Sequence, residues 1–347
     1  MAPVITATAV EFPPHRHAQA EVVAALVDAA GEDFLRFAAS SGVGYRQLAL
    51  PMDRYPQLTG FTEANAVYLE VALELGDRAI RSALDVAGLT PEDVDIIFST
   101  TVTGAAVPTV EARLAASLGM RPDVKRVPLF GLGCVAGAAG VARMNDYLRA
   151  YPDHVAVLLA VELCSLTIQR DDHSIANLVA TSLFGDGAAA VVAVGAQRAP
   201  AGLRRPRVLA SRSRLYPDTT EMMGWQIGSD GFRIVLSADV PTVADKYLGE
   251  DVRLFLSEFG LTTTDIATWV CHPGGPKVIE AVENVLDLPD DALDRTRTSL
   301  WENGNLSSVS VLDVLAANLA DPPSEGELGM MIAMGPGFCS ELVLLGW

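Results

Sequence analysis

Gly131-Leu-Gly-Cys134-Val-Ala-Gly137-Ala-Ala-Gly140 is the stretch on which the fold turns. Val124 to Phe130, before it, is strand-like, and Val135 to Tyr151 is helical. A strand thus ends in a glycine turn, and a cysteine stands where a helix begins. Helix starts carry free N–H groups and a partial positive charge. Both favour a thiolate, whose pKa can fall well below the free value of about 8.5. The flanking glycines and alanines leave room for a substrate to reach the sulfur. Taken alone, the stretch fits equally a small cysteine buried in a close-packed helix.

Outward from this point, strand-like and helix-like runs alternate. Asp95 to Val102 reads as a buried strand, Pro108 to Leu118 as a helix opened by proline, and Val155 to Val161 and Ala188 to Val194 as further strands. The order implies an α/β fold with a parallel or mixed sheet covered by helices. The second half repeats the plan. Asp265 opens a strand at Ile266 to Cys271, Pro276 to Val285 is a helix, and a connection leads to Gly304-Asn305 and a helix from Leu306 to Leu319. Asp95 precedes Cys134 by about 40 residues, as Asp265 precedes Asn305, which predicts an internal duplication. One half, 1–200, carries the cysteine. The other, 201–347, follows the Pro- and Arg-rich stretch 198–207. Two unrelated α/β segments could show the same spacing.

The 347 residues are 50% apolar, with 29 Gly and 20 Pro, enough for a large core with many short connections. The net charge of −18 argues against nucleic acid as a partner. Cys134, Cys164, Cys271 and Cys339 show neither zinc nor redox spacing and form no disulfide framework, so a reduced, cytoplasmic setting is expected, with no metal. Met1 to Ile5 lacks the pattern of a signal peptide. The longest apolar run, Val127 to Ala142, is too short and too glycine-broken to span a membrane.

Two further residues carry chemistry. His272, in Cys271-His272-Pro-Gly-Gly-Pro276, lies where a strand meets a loop, and its imidazole exchanges protons near neutral pH. Asn305, in Asn303-Gly-Asn305-Leu-Ser-Ser308, takes the place in the second half that Cys134 takes in the first. Its amide can donate to a developing oxyanion, or simply cap the helix. Together the three residue types suit decarboxylative acyl transfer, with Cys134 as nucleophile and no metal or redox cofactor.

Five motifs in order, G-C-V-A-G (133–137), L-F-G-D-G-A-A-A (183–190), H-P-G-G-P (272–276), G-N-L-S-S (304–308) and G-P-G (335–337), resemble those of the chalcone synthase superfamily, the type III polyketide synthases. The resemblance spans nearly the whole chain. It implies the thiolase-like five-layer αβαβα fold, a homodimer, malonyl-CoA and acyl-CoA as substrates, and no cofactor. It makes His272 and Asn305 the decarboxylation pair and Phe184 a gatekeeper between CoA tunnel and cavity. Ile234 stands where the family has a second gatekeeping Phe. Val107 matches the residue that reaches the partner's cavity. Thr103, Cys164, Thr167, Trp225, Ile234 and Ser307 match cavity-lining positions. Trp225 replaces a glycine of the plant enzymes. The plant CoA-gripping basic cluster leaves only Arg46, with Lys277 a further candidate.

G-L-G-C-V-A-G-A-A-G resembles the bacterial branch that makes alkylresorcinols and alkylpyrones from long acyl starters, and Thr103 and Cys164 would permit an acyl tunnel. The alternative within the family is a malonyl-primed tetrahydroxynaphthalene-type synthase. Outside it stand a β-ketoacyl carrier-protein synthase III, whose motifs usually read G-N-T-S and H-Q-A-N, and a non-catalytic thiolase-fold subunit, which typically lacks the nucleophile.

Overall fold

The computed structural model describes residues 2–30, 32–200, 202 and 204–347. Met1, and positions 201 and 203 of the 198–207 stretch, lie outside the described residues. The strands are β1 (Val4–Glu11), β2 (His15–Ala18), β3 (Tyr45–Leu48), β4 (Ile96–Thr101), β5 (Lys125–Phe130), β6 (Val155–Leu163), β7 (Asp186–Val194), β8 (Arg207–Leu215), β9 (Met223–Gly228), β10 (Gly231–Leu236), β11 (Ile266–Cys271), β12 (Leu328–Gly335) and β13 (Cys339–Gly346). The helices are α1 (Gln19–Ala30), α2 (Glu32–Ala39), α3 (Phe61–Ala87), α4 (Val110–Leu118), α5 (Ala136–Ala150), α6 (Ile175–Leu183), α7 (Val240–Ser257), α8 (Pro276–Leu286), α9 (Asp294–Asn303) and α10 (Ser310–Ala320).

Nine strands form one sheet in the order β11-β12-β13-β8-β1-β7-β6-β4-β5. The join between its two parts is narrow, since β8 meets β1 only at Arg207 opposite Val4. In the first part β6 runs parallel to β4 and antiparallel to β7. In the second, β12 runs parallel to β11 and antiparallel to β13.

The layers follow from strand alternation, because successive side chains point to opposite faces. In β6, Val155, Val157, Leu159 and Val161 join a core with Ala72, Leu75, Ala79 and Ile80 of α3, while Ala156, Leu158 and Ala160 join a central core. In β12, Met331 and Ala333 enter that same central core, while Met330 and Ile332 face Leu248 and Val252 of α7. β6 and β12 are therefore covered on both faces, which is why they are rich in apolar residues at both alternating positions. The central core is filled by α5 and α10. The result is the five-layer αβαβα arrangement. The two central helices approach closely because Gly137 lacks a Cβ, which would lie 2.4 Å from the Ser308 carbonyl oxygen.

Some boundaries differ from the sequence reading. Single 3-10 turns, Gly133–Val135 and Ser307–Val309, precede the central helices, so α5 starts at Ala136 and α10 at Ser310. Pro108 lies outside α4, which is capped by an extended Thr109. The connection before Asn305 contains α9, whose buried face carries Thr296 and Ser299 beside Leu300. Polar residues on an inward face hide helical periodicity. Here they are hydrogen-bonded instead, Thr296 Oγ1 to the Cys271 carbonyl (3.1 Å) and Ser299 Oγ to Asp313 (2.7 Å).

Candidate active site

Cys134 sits in the 3-10 turn between β5 and α5, on the central layer. The G-P-G loop closes over this turn. A Cβ on Gly335 would lie 2.7 Å from the Val135 nitrogen and 2.8 Å from the Leu132 oxygen, so only glycine admits the approach. His272 follows β11 directly, its N–H donating to the Ile332 carbonyl of β12 (2.9 Å). Asn305 follows α9 and is held on both sides: its N–H donates to the Leu183 carbonyl (2.8 Å), and its carbonyl accepts from the Gly185 N–H (3.0 Å). Phe184 lies between those two partners. Cys134, His272, Asn305 and Phe184 line one cavity of about 660 Å³.

The amide of Asn305 is oriented by its own turn. Its Oδ1 accepts the Ser307 N–H at 2.8 Å, so the oxygen serves as cap and Nδ2 is left as donor. Ser307 has φ 51°, a left-handed conformation uncommon outside glycine, and that hydrogen bond helps hold it there. Ser307 Oγ also lies 3.7 Å from Cys134 Sγ, which donates to it, and 3.3 Å from Glu162 Oε1, to which it donates.

Glu162 is a functional candidate that sequence reading passed over. It is fully buried near the end of β6 and accepts from the Ser308 hydroxyl (2.6 Å), the Thr103 hydroxyl (3.2 Å) and the Val102 N–H (3.0 Å). Burial pushes its carboxyl up, against those hydrogen bonds. A lone acid in the apolar run Val155 to Leu163 was the available signal, since an unpaired buried carboxylate is otherwise avoided.

Burial opposes the thiolate that a helix start would favour. Cys134 is buried within its turn rather than on the first turn of α5, and burial, with a smaller push from Glu162, takes its thiol up to about 12. Burial takes His272 down to about 4. Burial thus works against the charge on either group taken by itself. Passing the proton from sulfur to imidazole creates two opposite charges in one dry cavity, and each then favours the other. The Nδ1 of His272 is buried with no partner among the described residues. A neutral imidazole can accept at one nitrogen and donate from the other.

Lys277 is exposed at the rim of this cavity, and so is Arg36 on α2, which sequence reading missed. Arg46 is elsewhere. It is 1% exposed, lines a second cavity of about 630 Å³ with Tyr55 and Ser165, and spends its Nη1 on the carbonyls of Thr181 and Phe184. A guanidinium so enclosed is not presented to a CoA phosphate. Ile234 lines the catalytic cavity, and Trp225 is its direct cross-strand partner on β9, packed edge-on against Phe232 at 6.0 Å. Thr103, Cys164 and Thr167 are buried but are not among the residues that wall this cavity. Val107 is 95% exposed, pointing away from its own chain's core. Among the described residues, no group of three or more His, Cys, Asp or Glu is placed to hold a metal ion.

A thiol, an imidazole and an oriented amide thus share one largely apolar cavity with two cations at its rim, an arrangement suited to acyl transfer. The chain belongs to the chalcone and stilbene synthases: the N-terminal domain of that family matches residues 51–198 and the C-terminal domain residues 207–346. It is 52% identical to a 1,3,6,8-tetrahydroxynaphthalene synthase of Streptomyces peucetius, across 99% of this chain and 93% of that protein. It is 29% identical to a phloroglucinol synthase of Pseudomonas fluorescens, across 97% of both. The crystal structure of the 1,3,6,8-tetrahydroxynaphthalene synthase of Streptomyces coelicolor superposes with a TM-score of 0.94 at 29% identity, covering 99% of each chain. The protein is thus a type III polyketide synthase, an acyltransferase acting on CoA thioesters. No helix among the described residues is long and apolar enough to cross a membrane.

Proposed function

We propose that this synthase primes itself with malonyl-CoA, extends with further malonyl-CoA, and closes the chain to a tetrahydroxynaphthalene-type polyphenol. The observation that carries this reading is the 52% identity, over nearly the full length of both chains, to a synthase of that product. Cys134 attacks the starter thioester and CoA leaves as its thiol, with the proton delivered by His272. A malonyl thioester then places its carbonyl oxygen against the His272 ring N–H and Asn305 Nδ2. The carboxylate carbon–carbon bond breaks, CO₂ departs, and its electron pair forms an enolate held by those donors. The enolate carbon attacks the acyl group on Cys134, and the sulfur leaves. Arg36 and Lys277 at the rim attract the CoA phosphates, and Phe184 separates the tunnel from the cavity.

A second reading keeps the long acyl starter, closing to an alkylresorcinol or alkylpyrone. It is favoured by the apolar wall of Val179, Ile234, Leu236, Val240, Met334 and Phe338, where each buried methylene contributes about 0.8 kcal/mol. Incubation with malonyl-CoA alone, followed by an acyl-CoA series, separates the two. An aromatic product from malonyl-CoA alone, unchanged by acyl-CoA, supports the first. No product until a long acyl-CoA is added would sink it.

We also read the chain as two halves, 1–200 with Cys134 and 201–347 with His272 and Asn305, supported by the like strand order in each part of the sheet. A homodimer is supported by β5, an edge strand that exposes Phe130, since bare edges are normally covered, and by the exposure of Val107. Sedimentation at catalytic concentration tests it, and a monomer in full activity would overturn it.

A further inference from the structure

Arg46 lies on β3, in a two-stranded ribbon with β2, where a cation would ordinarily reach solvent. Instead it is among the largest fully buried side chains of the chain. Its Nη1 donates to the carbonyl of Thr181 at 2.6 Å and to that of Phe184 at 3.0 Å. Its Nε and Nη2 have no partner among the described residues. Asp186 is the opposite charge that offsets it, and that carboxylate is itself held by the N–H groups of Ala49 (2.6 Å) and Ser165 (2.8 Å). A buried cation with two unpaired nitrogens is a poor way to gain stability, and an apolar side chain of similar volume would often serve as well or better. Its two hydrogen bonds both run to one place, the C-terminal end of α6. There the exposed carbonyls carry the negative end of the helix dipole.

That place is also where Asn305 is held. The turn from Leu183 to Gly185 carries Phe184, takes the Asn305 N–H at Leu183 and returns the Gly185 N–H to the Asn305 carbonyl. The neighbouring chain is equally close. A Cβ on Gly304 would lie 2.7 Å from the Leu183 oxygen and 3.2 Å from Cγ of Arg46. One cation thus fixes the turn that sets both the gate side chain and the backbone of the amide donor.

We propose that Arg46 is a positioning residue for decarboxylation, clamping the Leu183–Gly185 turn so that Asn305 presents Nδ2 to the enolate oxygen. It acts from outside the catalytic cavity and touches no substrate. This rests on the reading of Asn305 as an enolate donor.

The experiment measures malonyl-CoA decarboxylation (kcat and KM), alkylation of Cys134 by iodoacetamide, and thermal melting, in Arg46→Met, Arg46→Lys, Asn305→Ala and the Arg46→Met/Asn305→Ala pair. Misplacing a catalytic group by about 1 Å costs on the order of 100-fold, so Arg46→Met should lose about 10- to 100-fold in kcat. KM should stay within about twofold, because Arg36 and Lys277 are untouched, and Cys134 alkylation should be unchanged. Arg46→Lys, which keeps the charge and one donor, should recover part of kcat. The double variant should be no slower than Asn305→Ala, since both act through one amide. A folded Arg46→Met with wild-type kcat overturns the proposal, as does a loss that multiplies with that of Asn305→Ala or appears equally in Cys134 alkylation. If Arg46→Met does not fold, Arg46→Lys decides, and wild-type kcat there overturns it. Asn305→Ala at wild-type rate removes the Asn305 reading and this inference together. A slow Asn305→Ala beside a fast Arg46→Met removes this inference alone.

Discussion

Replacing Asn305 by Ala and by Asp separates two things the residue does. Its Oδ1 caps Ser307 at 2.8 Å, and its Nδ2 is the amide donor left for the cavity. Alanine removes both. Losing an oxyanion donor should lower the decarboxylation kcat by about 10²–10³, equivalent to about 2.7–4 kcal/mol. Losing the cap, at a serine already held at φ 51°, should lower stability by about 1 kcal/mol. Aspartate keeps the acceptor for Ser307, so the melting temperature should stay near wild type. It replaces the donor with a carboxylate that repels a developing enolate, so decarboxylation should fall at least as far as in the alanine variant. Burial raises such a carboxyl, so residual activity of the aspartate variant should rise toward acid, where the protonated group donates again. The assay is CO₂ release from carboxyl-labelled malonyl-CoA, with starter loading on Cys134 followed by mass spectrometry. Loading should survive in both variants. A folded Asn305→Asp that decarboxylates within a few-fold of wild type would show that the side chain is only a cap.

Cys134→Ala should abolish both iodoacetamide labelling at the active site and product formation, and continued condensation would remove it as nucleophile. His272, held neutral with its pKa at about 4, stabilises the fold fully above about pH 6.5 and loses that contribution as pH falls toward 4, because the unfolded chain takes up the proton first. Between those values His272→Ala should lose about 3 kcal/mol less stability to acid than wild type does, measured by urea unfolding at several pH values, and parallel curves would refute the neutral buried imidazole. Cys164→Phe, at a position 1% exposed, should lower melting temperature and all activities together, by about 1–3 kcal/mol of overpacking. A well-folded variant shifted to shorter starters would instead restore the acyl tunnel.

β4, β6, β7 and β11 were legible because their runs are apolar at both alternating positions, which two covered faces demand, whereas β8, with its alternating Arg and Ser, was not. Ile266 to Cys271 was placed to the residue. Cys134, His272 and Asn305 were legible because each stands at a strand end or glycine turn, where local sequence already shapes the backbone. What was not legible depends on distant contacts. Arg46 sits in the polar-looking Tyr45–Leu48, and its burial is decided by carbonyls more than 130 residues away. Arg36 stands in a stretch with no motif of its own, and only the packing of α2 against α6 sets it at the cavity rim. The upward push on the Cys134 thiol is likewise collective, since it comes chiefly from burial by the whole fold.

Under the proposed malonyl-primed reading, starter choice would rest on the cavity walls rather than on Cys134, His272 and Asn305. A fatty starter would lie either along the apolar wall of the cavity beside Cys134, in competition with the malonyl arm and the growing chain, or in another direction. The direction offered by Thr103 and Cys164 runs into Glu162. Thr103 donates its hydroxyl to that carboxylate at 3.2 Å and accepts the Leu163 N–H at 2.9 Å, so opening a channel there breaks a hydrogen-bonded set. It would also lay methylenes against a buried carboxyl deprived of its Thr103 partner. The gain of about 0.8 kcal/mol per methylene would then have to offset a buried polar group left unpaired, at about 1–3 kcal/mol each. A malonyl starter makes no such demand. In the proposed reading it needs only the space the cavity already has, where Ile234 on the wall takes less room than an aromatic ring would.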